Sequence, residues 1–173
     1  RHKNATYAAM VESVDRSVGR VMARLEKLGL AKNTVVIFTS DNGGHGRITS
    51  HQPLRGNKGN FYEGGIRVPL IVKWPGVIKP DSTCKVPVIS TDYYPTLLAM
   101  TGQPARPKQH VDGRNLLPLL KQAGTVKREA LYWHYPNYIG AGHPGGARPC
   151  SVIRSGDWKL IESFETNRLE LFN

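Results

Sequence analysis

Two adjacent oxygen-bearing side chains, Asp41 and Asn42, come directly after an apolar run at residues 34–40. The run is dense in β-branched residues, which is typical of a buried strand. Open α/β sheets bind their ligands beyond the carboxyl ends of the strands, where this pair would lie. A carboxylate and an amide carbonyl are hard ligands that suit Ca²⁺ or Mg²⁺. The pair therefore predicts part of a divalent-cation site, with further ligands from elsewhere.

A cationic side chain, Lys58, follows on a glycine-rich loop between Gly56 and Gly59. Glycines let a backbone approach a ligand closely, so the ammonium group is suited to an anion. A metal site beside an anion site is the simplest chemistry that uses residues 41–58 together. Two plainer interpretations stay open, namely an Asp-Asn-Gly-Gly turn without a ligand and an ordinary surface loop around Lys58.

The elements that must position these residues begin with a helix and a strand. Apolar residues recur at spacings of three and four through residues 6–28, which predicts an amphipathic helix that ends near Gly29. Together with a strand at 34–40, this helix is half of an α/β unit. After a glycine-rich loop over residues 41–67, residues 68–73 predict a second buried strand.

Shorter elements are predicted further along the chain. A third short strand is predicted at residues 86–89, and Asp92 is predicted to cap a helix over residues 93–100. Residues 115–121 predict one more short helix. The last forty residues contain four strand-like runs separated by turns, which predict an antiparallel meander. The four runs are residues 131–135, 151–154, 158–161 and 168–172.

These predictions divide the chain into two domains. We expect an α/β domain at residues 1–125, with a partial sheet and flanking helices, and a small antiparallel β subdomain at residues 126–173. The 173 residues suffice for one sizeable core plus a small lobe. The opening residues lack a signal-peptide pattern, from which we expect a piece of a longer protein.

The composition bounds the partners. The formal net charge is +11, which indicates anionic partners such as sulfated or phosphorylated polymers. No nucleic-acid partner is expected, because the basic residues are scattered and no recognition motif occurs. No membrane partner is expected either, because no apolar stretch approaches the roughly 20 residues of a membrane span. Cys84 and Cys150 allow one disulfide in an oxidising compartment.

Three segments form a combination that is much more specific than its parts. They are Thr39-Ser40-Asp41-Asn42-Gly43-Gly44, Pro53-Leu54-Arg55-Gly56-Asn57-Lys58-Gly59 and Tyr62-Glu63-Gly64-Gly65-Ile66-Arg67-Val68-Pro69. Together they resemble the second half of the sulfatase (arylsulfatase) family, within the alkaline-phosphatase superfamily. The likeness continues through Trp74-Pro75-Gly76 and Gly156-Asp157-Trp158-Lys159 and covers nearly the whole chain. It implies a partial alkaline-phosphatase-like sheet for the α/β domain.

The resemblance implies roles for individual side chains. Asp41 and Asn42 would be ligands of a divalent cation, with calcium expected and magnesium as the alternative. Lys58 would contact the sulfate or the ester oxygen. The family's nucleophile is a hydrated formylglycine made from Cys or Ser, which attacks sulfur and expels the alcohol. Glu63 and Arg67 are expected to form an internal ion pair that braces the loop.

The nucleophile motif of that family, Cys or Ser followed by x-Pro-x-Arg, is absent. Cys150 has Arg154 at the matching distance, but Val152 stands where proline belongs, so we do not expect Cys150 to be the nucleophile. We expect the chain to be the C-terminal portion of a sulfuric ester hydrolase, inactive without its N-terminal half, which would carry the formylglycine. The resemblance also implies a periplasmic or secreted protein.

Three histidines are further candidates for the site, and two alternative functions stay open. His45 and His51 lie in the glycine-rich loop and are expected to face solvent. His134, next to a glycine-rich stretch at 140–146, is a candidate substrate-binding residue, and the alternative is a strand residue that only packs. The expected substrate is a sulfate ester of an aryl or carbohydrate group. Open alternatives are a phosphomonoester or phosphonate hydrolase, although Asn42 favours a hard cation, and a non-catalytic polyanion-binding module.

Overall fold

The computed structural model describes residues 4–138 and 147–173, which group into two compact units. The first unit combines residues 1–31, 37–71 and 130–173, and the second combines residues 32–36 and 72–129. The C-terminal strands thus belong with the glycine-rich loop, which precedes them by some sixty residues. The expected domain boundary between residues 125 and 126 divides the chain into two consecutive ranges. The two compact units are instead groups of residues in contact, and each combines ranges that are separated in the sequence.

Helix α1 spans Ala5–Lys27, close to the predicted range. The Asn4 side chain caps it by accepting a hydrogen bond from the Tyr7 N–H at 2.9 Å, and Gly29 follows its end with a φ of +68°. Its apolar stripe is exposed, since Met10 and Val21 keep 61% and 57% of their surface accessible. None of the described helices combines the length and apolar character of a bilayer span.

Two short strands form the first sheet. Strand β1 is Val36–Thr39 and strand β2 is Leu70–Lys73, each slightly shorter than predicted. They are hydrogen-bonded neighbours in a two-stranded sheet, so among the described residues β1 has one neighbouring strand. Between them lies a short helix, α2, at Glu63–Ile66, which the sequence did not predict because it contains two glycines.

The second unit contains helix α3 at Tyr93–Met100, as predicted, and helix α4 at Leu117–Leu120, which is shorter than predicted. Asp92 stands at the N-cap position of α3, as predicted, but its side chain makes no capping hydrogen bond to that helix. Its carboxylate is fully buried and accepts from the N–H groups of Ile89 at 3.0 Å and Arg114 at 2.8 Å. Arg128 pairs with the same carboxylate through both of its terminal nitrogens. Asp92 therefore joins three segments of this unit.

The predicted strand at residues 86–89 is wrong. This segment pairs with no strand of the described ranges, and the next regular element is a 3₁₀ turn at Ser90–Asp92. Pro87 lacks the N–H that a ladder needs, so an apolar run is not sufficient here.

The four C-terminal strands form one antiparallel sheet in the order β3-β4-β5-β6, as predicted. Their ranges are Leu131–Tyr135, Cys150–Ser155, Trp158–Ser163 and Leu169–Phe172. Gly156 makes the tight turn between β4 and β5, with a φ of +55° that favours glycine.

The sheet has an inner and an outer face because successive side chains of a strand point to opposite sides. Buried Cys150, Val152 and Ile161 form the core of the inner face. Phe61 and Tyr62, from the glycine-rich loop, pack against that core. The inner face therefore supports the loop that carries Lys58.

Candidate active site

The predicted metal pair lies just beyond the end of β1, as the sequence indicated. Gly43, the next residue, donates its backbone N–H to the carbonyl oxygen of Gly65 at 2.9 Å. A Cβ atom at Gly43 would lie 1.9 Å from the Gly64 carbonyl oxygen. Only glycine allows this approach, so the Asp41-Asn42 segment is seated on α2 by backbone contact.

Lys58 is tied to the same frame through its backbone. Its N–H donates to the carbonyl oxygen of Gly44 at 3.0 Å. Gly56 and Gly59, on either side, have φ values of +85° and +93°, which side chains other than glycine rarely adopt. The structure thus joins the backbone of Lys58 to the segment that carries Asp41 and Asn42. Their roles in a metal-plus-anion site stay a prediction.

The functional groups of these three residues have no polar partner among the described residues. Asp41 and Lys58 are exposed and Asn42 is half-buried. Carboxylate and amide oxygens fit a hard cation such as Ca²⁺, and an ammonium group fits an anion. Two protein ligands are too few for calcium, and the described part of the chain contains no cluster of three or more His, Cys, Asp or Glu that could hold a metal. The pair fits one side of a cation site.

His51 contributes to the loop in a way that the sequence did not reveal. Its Nε2 atom accepts a hydrogen bond from the Gly44 N–H at 2.7 Å. A ring nitrogen that accepts carries no proton, so the proton of neutral His51 lies on Nδ1. His51 is half-buried rather than solvent-facing, whereas His45 is exposed, as expected.

The predicted Glu63–Arg67 ion pair is wrong in its partner. The Glu63 carboxylate instead contacts Lys159 Nζ at 2.9 Å and Arg154 Nη1 at 3.2 Å. Both partners lie on the inner face of the C-terminal sheet, on β5 and β4. Glu63 does brace the loop, but its partners lie on the C-terminal sheet, far away along the chain, and not in its own helix.

A second polar contact joins the loop to strand β6. The Tyr62 hydroxyl donates to Glu170 at 2.5 Å, and Arg55 pairs with the same carboxylate at 3.2 Å. The Arg55 guanidinium also lies 4.0 Å from the centre of the Tyr62 ring. Burial and the bond to Glu170 raise the pKa of Tyr62, and the Tyr62 hydroxyl lowers the pKa of Glu170.

His134 lies apart from these residues. It alternates along β3 with Trp133 and Tyr135, which pack on the inner-face core, so it is on the outer face. Its Nδ1 is 3.0 Å from the Ser151 hydroxyl, and its ring packs on Phe164. The glycine-rich stretch at 140–146 lies outside the described residues, and the substrate-binding role of His134 stays a prediction.

Cys150 does not have the surroundings of an activated nucleophile. Cys84 and Cys150 are both free, and Cys150 is buried in the sheet core. Burial raises the pKa of the Cys150 thiol, which disfavours the reactive thiolate.

Sequence comparisons match known proteins over the whole chain. The family described as Sulfatase matches residues 2–103, and that described as N-sulphoglucosamine sulphohydrolase, C-terminal, matches residues 56–173. A protein named Sulfatase from Formosa agariphila is 41% identical over 191 residues, covering 100% of this chain and 34% of the relative. Human arylsulfatase A is 39% identical over 150 residues, covering 84% of this chain and 28% of that enzyme. The chain therefore spans about a third of the length of these relatives.

Solved structures are also similar to nearly the whole of this chain and to about a third of their own chains. Ps i-CgsB in complex with k-i-k-neocarrahexaose superposes with a TM-score of 0.81 and 32% identity, covering 96% of this chain and 36% of that one. A phosphonate monoester hydrolase from Silicibacter pomeroyi gives a TM-score of 0.71 and 25% identity, covering 92% and 32%. The predicted fold, part of an alkaline-phosphatase-like α/β domain with a C-terminal antiparallel sheet, is confirmed by these likenesses. With a family match over more than half of its residues, the chain belongs to the sulfatase family.

Proposed function

We propose that this chain is the C-terminal portion of a sulfuric ester hydrolase that cleaves sulfate monoesters. The observation that carries the proposal is the backbone hydrogen bond that joins Lys58 to the segment of Asp41 and Asn42, whose side chains have no polar partner among the described residues. Asp41 and Asn42 would hold a divalent cation, calcium or less favourably magnesium, and the Lys58 ammonium would bind a sulfate oxygen. Positive charge on both sides of a sulfate group stabilises the negative charge of its oxygens.

The proposed enzyme needs groups outside this chain. The bound cation would supply Lewis-acid chemistry, and a formylglycine in the N-terminal half of the same protein would supply the nucleophile. Asp41, Asn42 and Lys58 would orient the ester and offset its charge. The purified 173-residue chain is accordingly expected to leave an aryl sulfate unhydrolysed.

A sulfated carbohydrate is the substrate class that we favour over a simple aryl sulfate. The net charge of +11 suits a polyanionic substrate, and the similar structure of Ps i-CgsB is a complex with k-i-k-neocarrahexaose. A periplasmic or secreted location is proposed from the resemblance to the sulfatase family alone. His134 is retained as a proposed substrate contact, to be tested by His134→Ala.

A phosphonate or phosphate monoester hydrolase is the second candidate function, because one similar structure is a phosphonate monoester hydrolase. Asn42 favours the sulfatase, because its amide oxygen binds a hard cation such as Ca²⁺ better than it binds the softer metals that prefer histidine. The polyanion-binding module needs only the positive charge and no intact metal pair.

The test uses the full-length enzyme with matched aryl sulfate, phosphate and phosphonate esters. The sulfatase proposal expects preferred turnover of the sulfate ester and its abolition by Asp41→Ala. Preference for the phosphonate or phosphate ester would support the second candidate. Salt-sensitive binding of a sulfated polymer that survives Asp41→Ala, without any turnover, would support the binding module.

A further inference from the structure

Two cations face each other on the inner face of the C-terminal sheet. Arg154 on β4 and Lys159 on β5 are directly paired in the register of these antiparallel strands. Like charges directly opposite one another destabilise a sheet. Lys159 is also 6% exposed, and burial of a charged amine is costly unless a counter-charge binds it.

Glu63 of the glycine-rich loop supplies that counter-charge to both residues. Its two carboxylate oxygens divide between them, with Oε1 at 2.9 Å from Lys159 Nζ and Oε2 at 3.2 Å from Arg154 Nη1. Burial lowers the pKa of Lys159, while the hydrogen bond and charge of Glu63 oppose that shift and favour the ammonium form. The sheet thus presents a socket for one carboxylate, and Glu63 fills it.

The helix that begins at Glu63 also holds both halves of the candidate site. The Gly64 N–H donates to the Arg55 carbonyl oxygen at 2.7 Å, and the Gly65 carbonyl accepts from Gly43 at 2.9 Å. Cβ atoms at Gly64 and Gly65 would lie 2.3 Å and 2.0 Å from the carbonyl oxygens of Gly56 and Asn60. Helix α2 is therefore held by backbone contact to the metal-pair segment on one side and to the Lys58 turn on the other.

We propose that Glu63 and Lys159 are a positioning pair, which fixes α2 on the C-terminal sheet and thereby sets the placement of Asp41, Asn42 and Lys58. The proposal rests on the proposed sulfatase function of that site. Neither residue needs to touch the substrate. Their effect on turnover passes through the backbone of α2, so a change at Lys159 on β5 alters groups that it does not contact.

The test compares Lys159→Met, Lys159→Arg and Glu12→Gln in the full-length enzyme, at a temperature where all three are folded by circular dichroism. In Lys159→Met, Arg154 still neutralises Glu63, which favours folding. We expect its kcat to fall by at least about tenfold, because small misplacements of catalytic groups are costly. We also expect a higher calcium concentration for half-maximal activity. Lys159→Arg keeps the charge and should recover most of both values.

Glu12→Gln is the matched control, because it breaks the Glu12–Arg16 pair on the exposed surface of α1 and should change neither value. A folded Lys159→Met enzyme with a wild-type kcat and calcium requirement, even if it melts earlier, would overturn the positioning role. If the wild-type enzyme hydrolyses no sulfate ester, the proposed function fails separately. The pair is then judged by calorimetric calcium affinity, which Lys159→Met should weaken and Glu12→Gln should not.

Discussion

The backbone N–H of Lys58 donates to the carbonyl oxygen of Gly44 at 3.0 Å, and Gly44 lies three residues after Asp41 in the sequence. This bond joins the proposed anion-binding residue to the segment that carries the proposed metal ligands. Because the link uses backbone atoms, the two parts keep their spacing whatever their side chains do. Fixed spacing is the condition under which a cation and an ammonium group act on one bound anion.

The glycine contacts below this frame predict a strong effect of Gly43→Ala. The added Cβ would lie 1.9 Å from the Gly64 carbonyl oxygen, a backbone atom that has no side-chain freedom to move aside. We expect a loss of about 1–3 kcal/mol in the free energy of unfolding, as for other overpacked positions. Sulfate-ester turnover by the full-length enzyme should fall by about a hundredfold.

Gly19→Ala is the control for this substitution. Gly19 lies within α1, and a Cβ there would meet nothing within 4 Å. Alanine should stabilise this helix by about 0.5–1 kcal/mol, because glycine loses more backbone entropy. Denaturant unfolding of both variants gives the comparison, and equal behaviour of the two would contradict the close approach at Gly43.

Much of the secondary structure could be predicted from local patterns. The apolar spacing predicted α1, and the short strand-like runs predicted the four C-terminal strands. The turn at Gly156 was likewise predicted from neighbouring residues. Helix α2 could not be predicted, because two of its four residues are glycines of low helix propensity. Its glycines are there for close backbone contacts that only the folded loop creates.

The candidate site shows the same limit. Motif spacing selected Asp41, Asn42 and Lys58 as candidates, and their roles stay a prediction. The partners of Glu63 were missed because they lie 91 and 96 residues away along the chain. The predicted partner, Arg67, lies four residues away in the same predicted loop. His51 was missed because its bond to Gly44 depends on how the loop folds back.

The buried Asp92–Arg128 pair predicts a large stability difference in the second unit. Arg128→Met would leave the Asp92 carboxylate, which has no exposed surface, without its counter-charge. Breaking one partner of a buried pair costs about 3–5 kcal/mol. Urea unfolding of the chain should show this loss.

The comparison is Arg16→Met, which removes the partner of Glu12 in an exposed pair on α1. Exposed pairs of this kind contribute about 0.3–0.5 kcal/mol, so Arg16→Met should be almost neutral. Similar losses of unfolding free energy in both variants would mean that the buried Asp92 carboxylate does not need Arg128 as its counter-charge.

The Tyr62–Glu170 hydrogen bond predicts a pH-dependent contribution to stability. The bond lowers the Glu170 pKa below its ordinary 4.5, so its stabilisation is complete above that pH and is lost as the pH falls through the lowered value. The raised pKa of Tyr62 means that the phenol keeps its proton beyond pH 10.0, and the contribution is lost only above that. At neutral pH, Tyr62→Phe should cost about 1 kcal/mol.

Unfolding measured from pH 3 to pH 9 tests this prediction. The difference between wild type and Tyr62→Phe should be constant from about pH 6 to pH 9 and shrink in acid below about pH 4.5. Tyr132→Phe on the outer face, where the tyrosine is 66% exposed, should show a small difference without that acid dependence. A Tyr62→Phe difference that is equally large at pH 3 would contradict the role of ionised Glu170.

The separate roles proposed for Asn42 and Lys58 predict different responses of the full-length enzyme to calcium. Asn42→Ala removes one oxygen ligand, so the calcium concentration for half-maximal activity should rise by about tenfold or more, and excess calcium should restore much of the turnover. Lys58→Met removes a charge that stabilises the sulfate oxygens, so kcat should fall by about 100- to 1000-fold at every calcium concentration. Its half-maximal calcium concentration should stay close to that of the wild type.

Turnover after chelation and stepwise return of calcium measures both quantities in one titration. Lys79→Met, at an exposed lysine of the second unit, is the control for loss of a positive charge and should leave the whole titration unchanged. If Lys58→Met shifted the calcium requirement while Asn42→Ala did not, the two assignments would be wrong. If Lys79→Met lowered kcat as much as Lys58→Met, the effect would come from net charge, because a specific contact at Lys58 predicts a loss confined to that residue.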